Sequence, residues 1–184
     1  MKNLLIVCLL AYAGQLFAQN HQEISISVFD ESISFPSFNL TGGTINPGIS
    51  ISKTYFQTEN KGWRFMGSAY YHEKLEYNVS FSAIYFYRQY LGDVYIQPQA
   101  GGGYAHSWYP GQQYKQNEDG DFITINKPLG RSHGQIQAGI EIGYLLSSEL
   151  SFFTRYDTQF QSNFANGIPV MFHTLWHLGI AFQL

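Results

Sequence analysis

Eight stretches of this 184-residue chain alternate apolar and polar side chains with a period of two. They run approximately over 22–30, 46–56, 62–73, 75–88, 94–106, 132–145, 149–160 and 171–184. A period of two is the mark of a strand with one apolar face. Most of the stretches hold 9 to 14 residues. Strands of globular sheets commonly hold ~5–6 residues, whereas a tilted strand needs ~9–11, plus extensions, to cross a bilayer. The sixth stretch sets Ile136, Ala138, Ile140, Ile142 and Tyr144 against Gln135, Gln137, Gly139, Glu141 and Gly143. The fourth sets Tyr77, Val79, Phe81, Ala83, Tyr85 and Tyr87 against Asn78, Ser80 and Ser82. In the seventh, Leu150, Phe152 and Tyr156 oppose Ser151, Arg155 and Asp157. A sandwich in water turns the apolar face inward; a membrane barrel turns it outward. Alternation alone admits both.

Three features select the barrel. Tyr55, Trp63, Tyr71, Tyr85, Tyr87, Tyr95, Trp108 and Tyr144 gather near strand ends, as in the aromatic girdles of membrane interfaces. The connections alternate in length: 31–45 is long, 57–61 short, a tight turn falls near 74, 89–93 is short, 107–131 very long, 146–148 short and 161–170 medium. With a periplasmic N-terminus, three of the four outward connections are the long ones, which is the barrel pattern. The last stretch, "HTLWHLGIAFQL", sets Trp176, Leu178, Ile180, Phe182 and Leu184 against His177, Gly179, Ala181 and Gln183. Its His177, Gly179, Phe182 and Leu184 resemble the C-terminal β-signal that outer-membrane proteins present to the barrel assembly machinery, with Leu184 where Phe is commoner. A closing strand must also pair with the first, so that no open backbone edge meets lipid. The expected fold is all-β: an eight-stranded antiparallel up-and-down transmembrane β-barrel.

The N-terminal "MKNLLIVCLLAYAGQLFAQN" sets the compartment. Lys2, an apolar run from Leu4 to Ala13 and Ala18 before Gln19 follow the secretory signal pattern, although Leu16 is bulkier than usual at its position. Cys8 lies inside the apolar run, too early for a lipoprotein signal. Residues 1–18 are therefore expected to be cleaved, leaving 19–184 as one barrel domain without cysteine or disulfide. The expected location is the outer membrane of a Gram-negative cell, in contact with its lipid. Beyond residue 18 no apolar run approaches the ~18 residues of a membrane helix. Charged residues are only 12% and the net charge is −3, so the overall field carries no footprint for nucleic acid, and no direct contact with it is expected.

Eight strands enclose a space that side chains fill, which argues against an open pore. Arg64, Arg88, Glu141, Arg155, Asp157, His173 and His177 are the expected lumen residues, most simply as an ion-pair and hydrogen-bond network. A proton- or ligand-sensing core on His173 and His177 is the sharper alternative. These two are four positions apart on one strand face, ~13 Å, too far to share a metal ion.

No cofactor, metal or catalytic site is legible, and the chain reads as a non-enzyme. Enzymes on small outer-membrane barrels include lipid A deacylases and acyltransferases. The deacylase type needs Ser and His close together on the lipid-facing side, with an acidic partner. His106-Ser107 and Ser132-His133 are the candidates, but neighbours on a strand point to opposite faces, so each would need a partner from another strand. The glycines of "AGGGY" (100–104) sit mid-strand and read as a kink or close packing rather than a phosphate loop. In the long loop, Asn117, Asp119 and Gly120 fit a calcium-loop template, but Lys115 and Asn126 stand where carboxylates are required. Asp119-Gly120 reads better as a hairpin turn. Trp108, Tyr109, Tyr114 and Phe122 make this loop the expected partner-binding surface.

The chain resembles the TraO conjugal-transfer proteins of Bacteroides-type conjugative elements. The resemblance lies in "NPGISISKTYF", "KGWRFMGSAYYHEK", "QAGGGYAH", "QAGIEIGYLLSSELSFFTRYDTQF" and "FHTLWHLGIAFQL", in family-like order. It implies a structural component of a type IV secretion-like DNA-transfer apparatus, with other conjugation proteins as partners and no catalytic residues. The long loop is the least family-like part. A free-standing barrel for adhesion or envelope stability remains the alternative, followed by a lipid-modifying enzyme.

Overall fold

The computed structural model describes residues 21–33, 45–73, 75–109, 113–116, 120–125, 130–165 and 168–184; the expected signal segment lies outside them. Eleven strands are described: β1 (Gln22–Ser32), β2 (Pro47–Thr58), β3 (Lys61–His72), β4 (Glu76–Tyr87), β5 (Gln89–Leu91), β6 (Val94–Trp108), β7 (Gln113–Gln116), β8 (Phe122–Ile125), β9 (Arg131–Leu145), β10 (Leu150–Ala165) and β11 (Ile168–Gln183). Eight of them form a ring in the order β4-β3-β2-β1-β11-β10-β9-β6, and β4 pairs with β6 to close it. All these pairs are antiparallel. The fold is a closed eight-stranded antiparallel barrel.

Closure of first on last strand is regular: Ile24 faces Phe182, Val28 faces Leu178 and Asp30 faces Trp176. The Leu184 N–H donates to the Gln22 carbonyl at 2.9 Å, continuing the ladder past the end of β11. No strand of the ring keeps an open edge, which a lipid environment requires.

Strand parity sorts the side chains by chemistry. Ile136, Leu178 and Phe81 are 68%, 60% and 57% exposed, while their strand neighbours Gln137, His177 and Ser82 are 1%, 0% and 0% exposed. Buried polar groups beneath exposed aliphatic and aromatic ones reverse the arrangement of a protein in water. This inversion decides between the two readings that alternation left open.

Three details depart from the sequence reading. The connection expected over 161–170 is taken up by strand: β10 runs to Ala165 and β11 starts at Ile168, with a register shift between Ser162 and Ala165. Asn163 carries a positive φ of 53° there, so one irregular residue carries the ladder past a break in alternation. Tyr95 is not a girdle residue. It is fully buried inside the barrel, because its position on β6 has the inward parity of Gln97 and Gln99. The stretch 107–131 is also not one loop: β6 reaches Trp108, β9 starts at Arg131, and β7 pairs with β8 between them. Gly120, shortly before β8, has a positive φ of 91°, which glycine adopts freely.

Gly101 and Gly103 serve close approach. A Cβ would stand 2.2 Å from the Ala83 carbonyl oxygen at Gly101 and 2.0 Å from that of Phe81 at Gly103, so these positions let the backbone of β6 lie close against β4.

Candidate functional site: the filled lumen and the long-loop rim

The lumen is built in layers from inward positions of all eight strands. Nearest the short-turn end, Arg88 donates to Glu23 through Nη1 at 2.9 Å and Nη2 at 3.2 Å. Its Nε donates to Gln97 Oε1 at 2.7 Å, and the guanidinium lies 4.1 Å from the centre of the Tyr95 ring. Such a fork-to-fork pair fixes both direction and register.

In the middle layer Arg64 grips Glu141, Nη1 to Oε2 at 2.6 Å and Nη2 to Oε1 at 3.0 Å. Tyr95 donates to Glu141 Oε1 at 3.0 Å and Arg155 to Oε2 at 3.4 Å. Arg155 also forms an ion pair with Asp157, Nε to Oδ2 at 2.9 Å. Its Nη2 stands 3.0 Å from His177 Nδ1; arginine brings only donors, so that nitrogen accepts. Gly139 opposes Asp157 across β9 and β10 and leaves room for its carboxylate, which accepts from Gln99 at 2.8 Å. Three guanidiniums, of Arg64, Arg88 and Arg155, thus face three carboxylates, of Glu23, Glu141 and Asp157, all at most 1% exposed. Charge balances among these six groups.

Toward the long-loop end the lumen turns to amides and hydroxyls. Gln159 donates to Gln135 at 2.7 Å, Gln135 to Ser82 at 2.6 Å, and Ser82 to Gln137 at 3.1 Å. At the mouth, Glu31 takes His72 on one oxygen at 2.6 Å and His173 on the other at 2.7 Å, while Tyr70 donates to Glu76. His173 and His177 therefore belong to different clusters. Among the described residues no group of three His, Cys, Asp or Glu is gathered for a metal ion.

Solved structures share this architecture at low sequence identity. Neisserial surface protein A matches with a TM-score of 0.61 and 11% identity over 88% of this chain and 95% of its own. Ail, the attachment invasion locus protein of Yersinia pestis, matches at 0.51 and 15% identity over 89% and 98%. The outer membrane protein OprG of Pseudomonas aeruginosa matches at 0.51 and 9% identity over 92% and 98%. The fold is that of the small outer-membrane barrels. No protein-family model matches the sequence, and no curated protein does.

On the outer wall, register brings together what sequence order kept apart. His106 on β6 pairs with Ser132 on β9, both facing away from the lumen. His106 Nδ1 stands 3.3 Å from Ser132 Oγ, and the Tyr104 hydroxyl stands 2.5 Å from the same oxygen. Ser107 and His133, their sequence neighbours, point inward and are buried.

Of the loop aromatics, Trp108 ends β6 at 41% exposure and stacks edge-on with His106, while the Arg131 guanidinium lies 5.8 Å from the Tyr109 ring centre. Tyr114 and Phe122 lie on the β7–β8 pair, opposite Thr124 and Gln116, and their side chains are outside the described residues, as are 117–119 and Asn126 of the calcium-loop reading. The sequence reading passed over Glu23, the partner of Arg88, and Glu31 and Glu76 at the mouth. The alternation of "QEISISVFDES" carries a signal for two of them, since Glu23 and Glu31 share the parity of Ser25 and Ser27.

Proposed function

We propose that the chain is exported to the outer membrane of a Gram-negative cell, where it serves as a closed structural barrel of a conjugative DNA-transfer apparatus. The filled lumen carries this reading: a barrel plugged by Arg64, Arg88, Arg155, Tyr95, Phe56 and Phe86 transports neither DNA nor protein, so it acts by holding or positioning other components. The resemblance to TraO proteins points to the apparatus. Outer-membrane lipid surrounds the wall, and the barrel assembly machinery reads His177, Gly179, Phe182 and Leu184. Trp108, Tyr109, Tyr114 and Phe122 offer the surface for other conjugation proteins. Arg64, Arg88, Glu141, Arg155, Asp157, His173 and His177 keep the barrel rigid. This role needs no cofactor and no catalysis.

Deleting the gene in a donor cell should lower DNA transfer and leave recipient ability intact. Replacing the four loop aromatics with Ala should weaken partner association while the barrel stays folded. Unchanged transfer from the deletion donor removes the conjugation role. The second reading is then a free-standing barrel acting through its loops, which shares its fold with an attachment invasion protein.

A further inference from the structure

We propose that Ser132, His106 and Tyr104 form an ester-cleaving site on the lipid-facing wall, acting on acyl esters of outer-leaflet lipids. This site is independent of the structural role above, and its test does not involve DNA transfer.

Three observations carry it. The first is connectivity: both Tyr104 and His106 reach Ser132 Oγ, at 2.5 and 3.3 Å. If Tyr104 donates to the oxygen, the hydroxyl proton of Ser132 is directed at Nδ1, which is the arrangement of a nucleophile with its base. The second is seating. The His106 ring packs edge-on to Trp108 at 4.5 Å, and a Cβ at Gly130 would stand 2.1 Å from Nε2, so that glycine makes room for the imidazole. The third is depth. Ser132 lies twelve residues along β9 from Tyr144, the girdle residue at the short-turn end. At ~3.3 Å per residue and a tilt of ~40°, that is about 30 Å, just beyond a ~25 Å apolar band. Lipid ester groups sit at that level.

The chemistry balances without a co-reactant other than water. Ser132 Oγ bonds to the ester carbonyl carbon as its proton passes to His106 Nδ1, and the Tyr104 hydroxyl turns to donate to the oxyanion. The ester C–O bond breaks, and the departing alcohol oxygen takes the proton from His106. Water then attacks the acyl-serine, with its proton relayed through His106 back to Ser132 Oγ, and the fatty acid leaves. Among the described residues no carboxylate is hydrogen-bonded to His106, so the site is a dyad with a tyrosine donor, and slow turnover is expected.

The test uses the mature barrel folded in detergent. One arm supplies lipopolysaccharide and the other phosphatidylethanolamine vesicles, and mass spectrometry reads free fatty acid; the productive arm identifies the lipid. A fluorophosphonate probe should add to Ser132 of the wild type. Ser132→Ala should abolish release and labelling, His106→Ala should lower release at least about 100-fold, and Tyr104→Phe should lower it by about 100-fold. Heat-modifiable gel mobility confirms that each variant is folded. No fatty acid in either arm, or release that persists in Ser132→Ala, overturns the proposal. Should that variant fail to fold, the mapped adduct on the wild type decides, and its absence from Ser132 overturns it equally.

Discussion

Arg64 and Glu141, 77 residues apart in the chain, meet fork to fork in the middle of the barrel with both side chains fully buried. Neither β3 nor β9 touches the other in the sheet; the pair spans the lumen. Taking two charges out of water costs several kcal/mol each, and only close, bidentate geometry with further donors offsets it. Gln99 accepts from Arg64 at 3.0 Å and Tyr95 donates to Glu141, so both members are supported from β6.

Breaking that pair should weaken the barrel. Arg64→Met strands the Glu141 carboxylate with Arg155 and Tyr95, and is expected to cost about 3–5 kcal/mol. Urea unfolding in lipid vesicles reads the loss. Adding Glu141→Gln should recover part of it, since the stranded charge is then gone; a double variant no more stable than the single one contradicts the account.

The folded protein should not conduct. In a planar bilayer under molar KCl, the wild type is expected to show no steady ion current, because guanidiniums, carboxylates and aromatic rings occupy the cross-section. A stable open channel would show that water threads the lumen.

Glycine positions should differ sharply in tolerance. At Gly139 a Cβ would stand 2.0 Å from Asp157 Oδ1 and 2.3 Å from the Tyr156 carbonyl oxygen, so Gly139→Val should destabilise by about 1–3 kcal/mol or more. At Gly67 nothing lies within 4 Å, and Gly67→Val should be nearly neutral. Equal effects at the two sites, by the same unfolding assay, would contradict the packing described.

Closure should depend on the final residues. Phe182 faces Ile24 on one side and Leu150 on the other, and its side chain is 42% exposed on the outer wall. Replacing Phe182 and Leu184 together with Ser should deplete the protein from the outer-membrane fraction and abolish heat-modifiable mobility. Normal levels of the double variant would remove both the recognition role and the closure role of these side chains.

Much of the polar core was readable from parity alone. Glu141 shares the parity of Gln137 and Gly139, and Arg155 that of Asp157 and Ser151, so a strand reading places each set on one face. Tyr95 shows the limit of residue-type reasoning: a tyrosine near a strand end reads as girdle, yet its parity with Gln97 turns it inward. The partnership of Arg88 with Glu23 was not readable, because a pairing across the lumen depends on the stagger of the closed ring rather than on spacing along the chain. The meeting of His106 with Ser132 depends likewise on the register between β6 and β9.

The sequence by itself determined the period of two, the strand lengths and the chemistry of each face, because side-chain direction alternates on any strand whatever its neighbours. It also determined that apolar residues reach the last positions of β11. Girdle aromatics, loop lengths and the closing strand already turn the polar face inward. Only the tertiary structure decided how the ring closes and packs Arg64, Arg88 and Arg155 against their carboxylates while leaving Ile136 and Leu178 outside. It alone decided which charges neutralise which. Coulombic partners in a lumen are chosen by distance through space, and distances across a barrel follow from strand number and stagger.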